Sequence, residues 1–448
     1  MRQALFIAGC VLFLTLTFAP RITGDGGGYY IYLHSIVVDH DLNLANEYDA
    51  AHAAGVKIAG DKKVVKATGL PADQYPIGPA ILSLPIYLVA LAISPSGEPQ
   101  YGPPFTFAFT LASLLYGALG LALIYVWLRR LSFTSGQALA AIAGVTLATP
   151  FVFYAVYDPS YSHLFSVCMV TLFMYLWWSR RATRGWRGWI VLGLVGGVMG
   201  LVRFEDGLLM AVTLLDLPKA RWRLLLQGPA ALLTFSPQLV VDEVIYGRLR
   251  PGSNAVSFSV FPGHYLEVLF SSLHGLFIWS PVLLAAVAGY WFFRDSTLRA
   301  AFAISFLITL AVIGAFDFWY GGASFGMRFF LNLTPFFAMG LAALAAKLRP
   351  AITWTALALL TAWNVVLVLS FVYIMLPDAA PGYLGLLKDQ VRALPYAPHL
   401  VQGYVVRSLI EGKNLPSAAG LLIGELIIVL AAMLLARCAK RPSLPSSC

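Results

Sequence analysis

Five carboxylates lie close together near the start of this chain, where they could serve as a general base or as cation ligands. The segment 24–49 reads GDGGGYYIYLHSIVVDHDLNLANEYD and holds five of the 21 acidic residues of the chain: Asp25, Asp39, Asp41, Glu47 and Asp49. Three glycines after Asp25 allow close approach of another molecule. The aromatic run that follows, with Tyr29 and Tyr30, is typical of a membrane–water boundary. We predict the active-site loop of a membrane enzyme; the structural alternative is a solvated loop between two membrane helices.

The composition indicates a polytopic integral membrane protein. Hydrophobic residues make up 59% of the 448 residues and charged residues 11%, whereas a soluble protein has about half and about a quarter. The four cysteines stand singly, which argues against a disulfide framework and against cysteine-rich metal spacing. The net charge of +9 comes from basic residues at the ends of apolar segments. They are orientation signals, so no nucleic-acid partner is predicted.

The apolar segments predict an all-α membrane protein with about twelve transmembrane helices, at roughly 20 residues per span. We expect one membrane domain with both termini in the cytoplasm. Prolines interrupt the segment 76–93. If this segment crossed the membrane, Arg129 and Arg130 would lie outside, against the preference of basic residues for the cytoplasmic side. It is therefore predicted to be a re-entrant or interfacial helix. The predicted parts are a first span (1–20), an outer catalytic loop with that helix (21–104), a bundle (105–376), an outer segment (377–417), and a last helix with its tail (418–448).

The polar islands of the chain all fall on the outer face of this predicted topology. Ionisable groups near membrane helices usually line a cavity or a pathway, so we expect a polar cavity that opens outward. The cytoplasmic loops contain no glycine-lysine phosphate loop, which argues against nucleotide hydrolysis and favours a donor carried by a lipid. The islands are 25–49, 157–163, 203–206, 263–265 and 317–328.

Several motifs, taken together and in this order, resemble the GT-C superfamily of polyprenyl-phosphate-dependent membrane glycosyltransferases. The resemblance is to the bacterial branch related to protein O-mannosyltransferases and lipid A aminoarabinose transferases. It is carried by the segment 24–49 and then by YPIGPAILSLPIY, YSHLFSV, GLVRFEDGL, HGLFIWSPVLL and FWYGGASFGMRFFLNLTPFF. The resemblance implies a GT-C-like fold and a catalytic base early in the first outer loop, at Asp25. Members of the family are also described by an acidic pair in that loop, so Asp39 and Asp41 are the alternative candidates for the catalytic base.

Sugar transfer from such a donor explains which residue types are needed. A carboxylate can deprotonate the attacking hydroxyl, while the leaving lipid phosphate needs positive charge and hydrogen-bond donors, as arginine supplies. The candidates for binding phosphate or substrate are Arg328, Arg203, His163, His264, Lys62, Lys63, Tyr29 and Tyr30. Each has a structural alternative: Arg328 as an interfacial anchor, Arg203 as a partner of Glu205 or Asp206, the histidines as packing residues, and the lysines as a solvated charge run.

No cofactor follows with certainty from these residues. A divalent cation, Mg²⁺ or Mn²⁺, is compatible with a lipid diphosphate, but Asp39-x-Asp41-x-Asn43 with Glu47 lacks the glycine and spacing of a calcium loop. The predicted partners are a polyprenyl-phosphate sugar donor, a glycan, lipid or protein acceptor, and membrane lipids. The predicted location is the bacterial inner membrane, with the active site outside. The main alternative is a transporter or flippase of a lipid-linked sugar, which tends to have repeated halves; a ligase or polymerase of surface glycans would share the chemistry.

Overall fold

The computed structural model describes residues 18–58, 63–249, 257–375 and 380–398, and within them the chain is almost entirely helical. It has no β-strand there, only two isolated bridges, Val64 with Pro71 and Phe258 with Phe316. The α-helices are α1 Asp25–His34, α2 Ala45–Ala53, α3 Gly78–Ile93, α4 Pro103–Arg130, α5 Ser135–Leu147, α6 His163–Ser179, α7 Trp186–Val202, α8 Phe204–Gly207, α9 Leu217–Ala220, α10 Gln227–Tyr246, α11 Tyr265–Phe270, α12 Leu276–Trp279, α13 Pro281–Gly289, α14 Ser296–Ala315, α15 Thr334–Ala345, α16 Pro350–Tyr373 and α17 Gly382–Ala393.

Tighter and wider helical turns join several of these helices. The 3₁₀ segments are Leu208–Asp216, Arg221–Leu226, Tyr290–Phe292, Arg328–Leu333 and Leu394–Tyr396, and the π-helical segments are Ser35–Asp39 and Phe153–Tyr157. Local sequence explains several ends. Thr134 forms a capping box with Gln137 before α5, and the Asp295 carboxylate accepts from the Leu298 amide before α14. Gly247 ends α10 in the left-handed region, where glycine carries no steric penalty.

The apolar helices confirm a multi-pass membrane protein. Five helical stretches of the described residues are long and apolar enough to cross a bilayer: Pro103–Arg130, Trp222–Tyr246, Ser296–Ala315, Arg328–Ala345 and Pro350–Tyr373. Five shorter apolar helices accompany them: Gly78–Ile93, Ser135–Leu147, His163–Ser179, Trp186–Val202 and Pro281–Phe292. The number of twelve spans stays a prediction. Residues 1–17 of the predicted first span, and the predicted last helix 418–436 with its tail, lie outside the described residues.

The region after the predicted first span is a small helical layer, which corrects the interpretation of residues 24–49 as a loop. Asp25–His34 and Ala45–Ala53 are helices, although glycine in a helix interior is unfavourable by about 1 kcal/mol each. The glycines are there because the helix packs closely. A β-carbon at Gly26 would overlap the Ser160 side chain, and one at Gly28 would overlap the Tyr75 ring.

The tyrosines of this helix point into the protein interior, and their position at the membrane–water boundary stays a prediction. Tyr30 and Tyr32 are completely buried, and Tyr29 nearly so. They form part of a second hydrophobic core beneath α1, α2 and α3, separate from the larger core of the bundle. The Tyr30 ring packs against Tyr87 and Phe109. Burying aromatic rings provides the apolar area that holds a glycine-rich helix in place.

The predicted interfacial segment 76–93 forms α3. Its 16 residues span about 24 Å at 1.5 Å per residue, which is shorter than a hydrocarbon core of about 30 Å. Pro79 lies in its first turn and Pro85 in its interior. One side packs against α1 and α4, and Leu88, Val89 and Ile93 are exposed. That α3 does not cross the membrane stays a prediction.

Candidate functional site

A polar cavity of about 460 Å³ lies where α1 begins, where α7 ends and where the segment before Arg328 turns. These elements are far apart in sequence, and the cavity brings together four of the predicted residues: Asp25, Tyr29, Arg203 and Arg328. The other lining residues are Gln74, Tyr75, Pro76, Phe204, Glu205, Ser257, Phe316, Asp317, Phe318 and Phe329. Both charge signs and several aromatic rings therefore face one space, as in a binding site for a polar ligand with an apolar part.

The Asp25 carboxylate is held by one ion pair and one hydrogen bond, both with residues from distant parts of the chain. Its Oδ2 lies 2.7 Å from Arg328 Nη1, and its Oδ1 accepts a 2.9 Å hydrogen bond from the Tyr75 hydroxyl. Asp25 is the first residue of α1, after Gly24 at φ +47°, a conformation that favours glycine. A quarter of its side chain remains exposed. The carboxylate is thus fixed in position and still accessible from the cavity.

Arg328 is buried, with donors left over after its contacts with the protein. Its Nη2 donates to the Gly321 carbonyl at 3.2 Å, and its guanidinium lies 4.8 Å from the centroid of the Tyr161 ring. Its Nε has no hydrogen-bond partner within the described residues. Gly321, which has a positive φ, allows the chain to curl around the guanidinium. A buried cation with an unsatisfied N–H group is arranged to receive an anionic ligand.

Arg203 is the second buried cation of the cavity. It forms an ion pair with Glu205, and its Nη1 lies 2.9 Å from His163 Nδ1. The same Nη1 donates to Ser162 Oγ at 3.3 Å, and the Ser162 hydroxyl donates to the Tyr29 hydroxyl at 3.0 Å. The pairing with Glu205 is the structural alternative considered from the sequence. His163 lies behind Arg203 and does not line the cavity.

Burial changes the proton affinity of several groups around the cavity. It raises the pKa of the Tyr75 hydroxyl, with a further increase from the negative charge of Asp25, so Tyr75 stays protonated as a donor. Burial also raises the pKa of Asp158 to about 6, against a hydrogen bond from Thr23 that lowers it. Conversely, hydrogen bonds from Ser257 and Ser259 lower the pKa of the exposed Asp317.

The remaining predicted residues do not line this cavity. The Tyr30 hydroxyl donates to the Gln100 carbonyl inside the second core. His264 stacks on Trp319 with 6.0 Å between ring centroids. Lys63 is exposed, and Lys62 lies outside the described residues. Asp39 and Asp41 lie beyond the far end of α1, where Asp41 accepts from the Ser35 hydroxyl at 3.1 Å.

The roles of two cavity residues, Tyr75 and Phe329, were not identified from the sequence, whereas Glu205 was considered there only as the ion-pair partner of Arg203. Tyr75 donates to Asp25, Glu205 pairs with Arg203, and Phe329 lies beneath both arginines, 5.3 Å from Arg328 and 5.5 Å from Arg203. Tyr75 is the first residue of the motif YPIGPAILSLPIY, and this place in the motif was the only indication in the sequence that Tyr75 belongs to the site. Among the described residues, no group of three potential metal ligands lines the cavity; the one such group lies elsewhere.

Comparison with known proteins identifies the fold. No protein-family model matches the chain, and no curated protein matches it. One solved structure is similar: ArnT from Cupriavidus metallidurans in the apo state, with a TM-score of 0.50 and 16% sequence identity. The similarity covers 98% of this chain and 78% of ArnT. The chain shares its fold with ArnT. At this level of identity the likeness concerns the fold alone, so the function has to be argued from the cavity.

Proposed function

We propose that this protein is a membrane glycosyltransferase that moves a sugar from a polyprenyl-phosphate-linked donor to an acceptor hydroxyl. The observation that carries the proposal is the Asp25–Arg328 pair in a cavity that also holds Arg203. On a GT-C fold, this combination supplies both a base for the attacking group and cations for the leaving group. The sugar, the carrier lipid and the acceptor class belong to the proposal.

Asp25 is the general base of this proposal. A sugar or serine hydroxyl is too weak an acid to attack an anomeric carbon unless its proton is removed as the new bond forms. The Asp25 carboxylate can take that proton because it borders the cavity and each of its oxygens has a further lone pair. Tyr75 and Arg328 hold the carboxylate in one orientation, which restricts the approach of the acceptor.

Arg328 and Arg203 stabilise the departing phosphate. As the bond between the sugar and phosphate oxygen breaks, negative charge grows on the lipid phosphate, which leaves as an anion without needing a proton. The unsatisfied Nε of Arg328 is a donor for this charge, and pre-oriented donors are worth most in a site shielded from water. Because Arg328 also contacts Asp25, donor phosphate and acceptor base are held next to each other.

The cavity further agrees with a donor that has an apolar tail. Phe204, Phe318 and Phe329 line it beside the arginines, so one site offers rings for a lipid or a sugar face and cations for the phosphate. We place the reaction on the outer face of a bacterial inner membrane, following the distribution of basic residues. The acceptor is a glycan, lipid or protein that reaches this face.

The experiment uses the purified full-length chain in lipid nanodiscs with radiolabelled polyprenyl-phosphate hexose as the probe. Membrane fractions that contain glycans, lipid A-type lipids and envelope proteins serve as acceptors. We expect label to move into one acceptor fraction, with release of polyprenyl phosphate, and we expect Asp25→Asn to abolish this transfer. Asp49→Asn, an exposed acid of the same outer region, is the matched control.

A sealed-vesicle assay tests the transporter alternative with the same probe. Movement of intact labelled lipid across the vesicle membrane, without cleavage of its sugar–phosphate bond and without an effect of Asp25→Asn, would overturn the glycosyltransferase proposal. Cleavage that depends on Asp25 supports it.

A further inference from the structure

A compact group of metal-type ligands lies at the end of α1 that is remote from the cavity. His34 is the last residue of α1, Asp39 ends the π-helical segment Ser35–Asp39, and Glu47 lies in the first turn of α2. One ligand atom from each lies within 4.8 Å of the others. His34 lies nine positions after Asp25, about 13.5 Å along a helix, so this group is not part of the transfer site.

We propose that His34, Asp39 and Glu47 bind one divalent transition-metal ion, with zinc the best match, and that this ion joins α1 to α2. His34 Nδ1 lies 3.2 Å from Asp39 Oδ2 and 3.4 Å from Glu47 Oε1. Four ligands about 2.0–2.2 Å from a tetrahedral zinc ion lie about 3.4 Å from one another. The two distances at His34 match this ligand spacing, and all three ligand atoms lie within 4.8 Å of one another.

Hydrogen bonding alone accounts poorly for this arrangement. An imidazole nitrogen carries at most one hydrogen, yet His34 Nδ1 faces two carboxylate oxygens at once. The 3.4 Å contact with Glu47 Oε1 is longer than the range of about 2.7–3.2 Å for an N–H···O hydrogen bond. Glu47 is completely buried, and its Oε2 has no hydrogen-bond partner within the described residues. A buried carboxylate oxygen without a partner is unfavourable, and a cation held by both oxygens of Glu47 gives Oε2 a partner.

The surroundings have further features of a metal site. Asn46 Nδ2 donates to Asp39 Oδ2 at 2.8 Å and to Glu47 Oε1 at 3.1 Å, which orients both carboxylates as outer-sphere partners do. The π-helical turn brings Asp39 back beside His34, and such turns are frequent at functional sites. His34 and Asp39 are each about a quarter exposed, which leaves a path for the ion and a position for water. One imidazole with two carboxylates suits zinc better than magnesium.

The test uses the full chain, purified without a histidine tag and stripped with a chelator. We expect it to take up one Zn²⁺ per chain, to gain thermal stability with the metal, and to show the visible absorption of a tetrahedral site when Co²⁺ replaces Zn²⁺. His34→Gln or Glu47→Gln should weaken Zn²⁺ binding at least about a hundredfold. Asn46→Ala should weaken it about tenfold, as outer-sphere changes do.

Asp49→Asn is the matched control, because Asp49 is an exposed acid on α2, and it should bind Zn²⁺ like the unmodified chain. Unchanged Zn²⁺ affinity in folded Glu47→Gln and His34→Gln, or uptake of Mg²⁺ in preference to Zn²⁺, would overturn the proposal. If those variants do not fold, the Co²⁺ spectrum of the unmodified chain decides: a tetrahedral spectrum that Asn46→Ala alters supports the site, and its absence overturns it. Zinc binding is measured without a sugar donor, so its outcome is separate from that of the transferase proposal.

Discussion

The two ends of helix α1 hold carboxylates in different surroundings. At the first end, Asp25 meets the buried Arg328 guanidinium and the Tyr75 hydroxyl beside an open cavity. At the other end, Asp39 and Glu47 converge on His34 and the Asn46 amide. The guanidinium at the first end occupies one carboxylate oxygen and fixes the group beside the cavity, whereas imidazole and amide partners at the other end leave room for a cation. The partners of an acid, more than the acid itself, determine which chemistry it can perform.

The largest expected effect is on the rate of transfer, and it is tested by one substitution at each end of α1. Asp25→Asn should lower the transfer rate by about 10²–10⁴-fold, the range for loss of a general base, while donor binding stays measurable. Asp39→Asn should leave the catalytic step nearly unchanged because Asp39 lies at the remote end. Turnover and polyprenyl phosphate binding are measured on both. An active Asp25→Asn together with an inactive Asp39→Asn or Asp41→Asn would move the base to the acidic pair.

The next effect concerns the cation that distinguishes the first end. Arg328→Lys keeps one charge but loses the planar donor geometry, so it should fold and lose much of its activity. Arg328→Ala should also lose donor affinity. Removal of one charged hydrogen-bonding partner costs about 1.5–3 kcal/mol, or about tenfold to a hundredfold. Arg392→Lys, an exposed position, is the control. If both Arg328 variants keep the turnover and donor affinity of the unmodified chain, Arg328 is only an interfacial anchor and Arg203 binds the phosphate instead.

A smaller effect is expected from the hydroxyl that orients Asp25. Tyr75→Phe keeps the ring that packs against Gly28 and Tyr29 and removes only the 2.9 Å hydrogen bond. An ordinary hydrogen bond contributes about 0.5–1.5 kcal/mol, so kcat/KM should fall by up to about tenfold with little change in stability. Tyr87→Phe, in the second core and not lining the cavity, is the control. Equal activity of the two variants would show that Tyr75 does not orient the base.

The smallest effect on transfer is expected at the buried Asp73, which does not line the cavity and acts on stability instead. Burial raises the pKa of Asp73 from 3.8 to about 8. Between about pH 4 and 8 the folded protein therefore keeps a proton that the unfolded chain has lost, so this group makes stability fall as pH rises through that window, by at most about 1.4 kcal/mol per pH unit. Asp73→Asn should flatten the pH dependence of the unfolding midpoint, and exposed Asp49→Asn should not. If the unfolding midpoint of Asp73→Asn depends on pH as steeply as that of the unmodified chain, this account is contradicted.

Much of the fold could be predicted from composition and pattern. A chain with 59% hydrophobic and 11% charged residues has to satisfy its backbone hydrogen bonds internally within a bilayer, and helices do this. The motifs, taken as a set, indicated a GT-C-like arrangement, and the likeness to ArnT confirms that fold. Residues 24–49 were misjudged as a loop because the three glycines were interpreted as turn formers. Their role is to let a helix pack against Tyr75 and Ser160. Local helix propensity carries no information about such tertiary contacts.

The candidate site divides in the same way. The family resemblance indicated Asp25, and residue type with position indicated Arg203 and Arg328, since ionisable groups beside membrane helices are costly to keep without a role. Which acid meets which cation was decided by tertiary structure, because Asp25 and Arg328 are joined only through the packing of α1 against distant segments. Tyr75 reaches Asp25, and Glu47 reaches His34, for the same reason. Sequence determines which groups are present; the folded chain sets their distances, and those distances determine whether a carboxylate acts as a base or binds an ion.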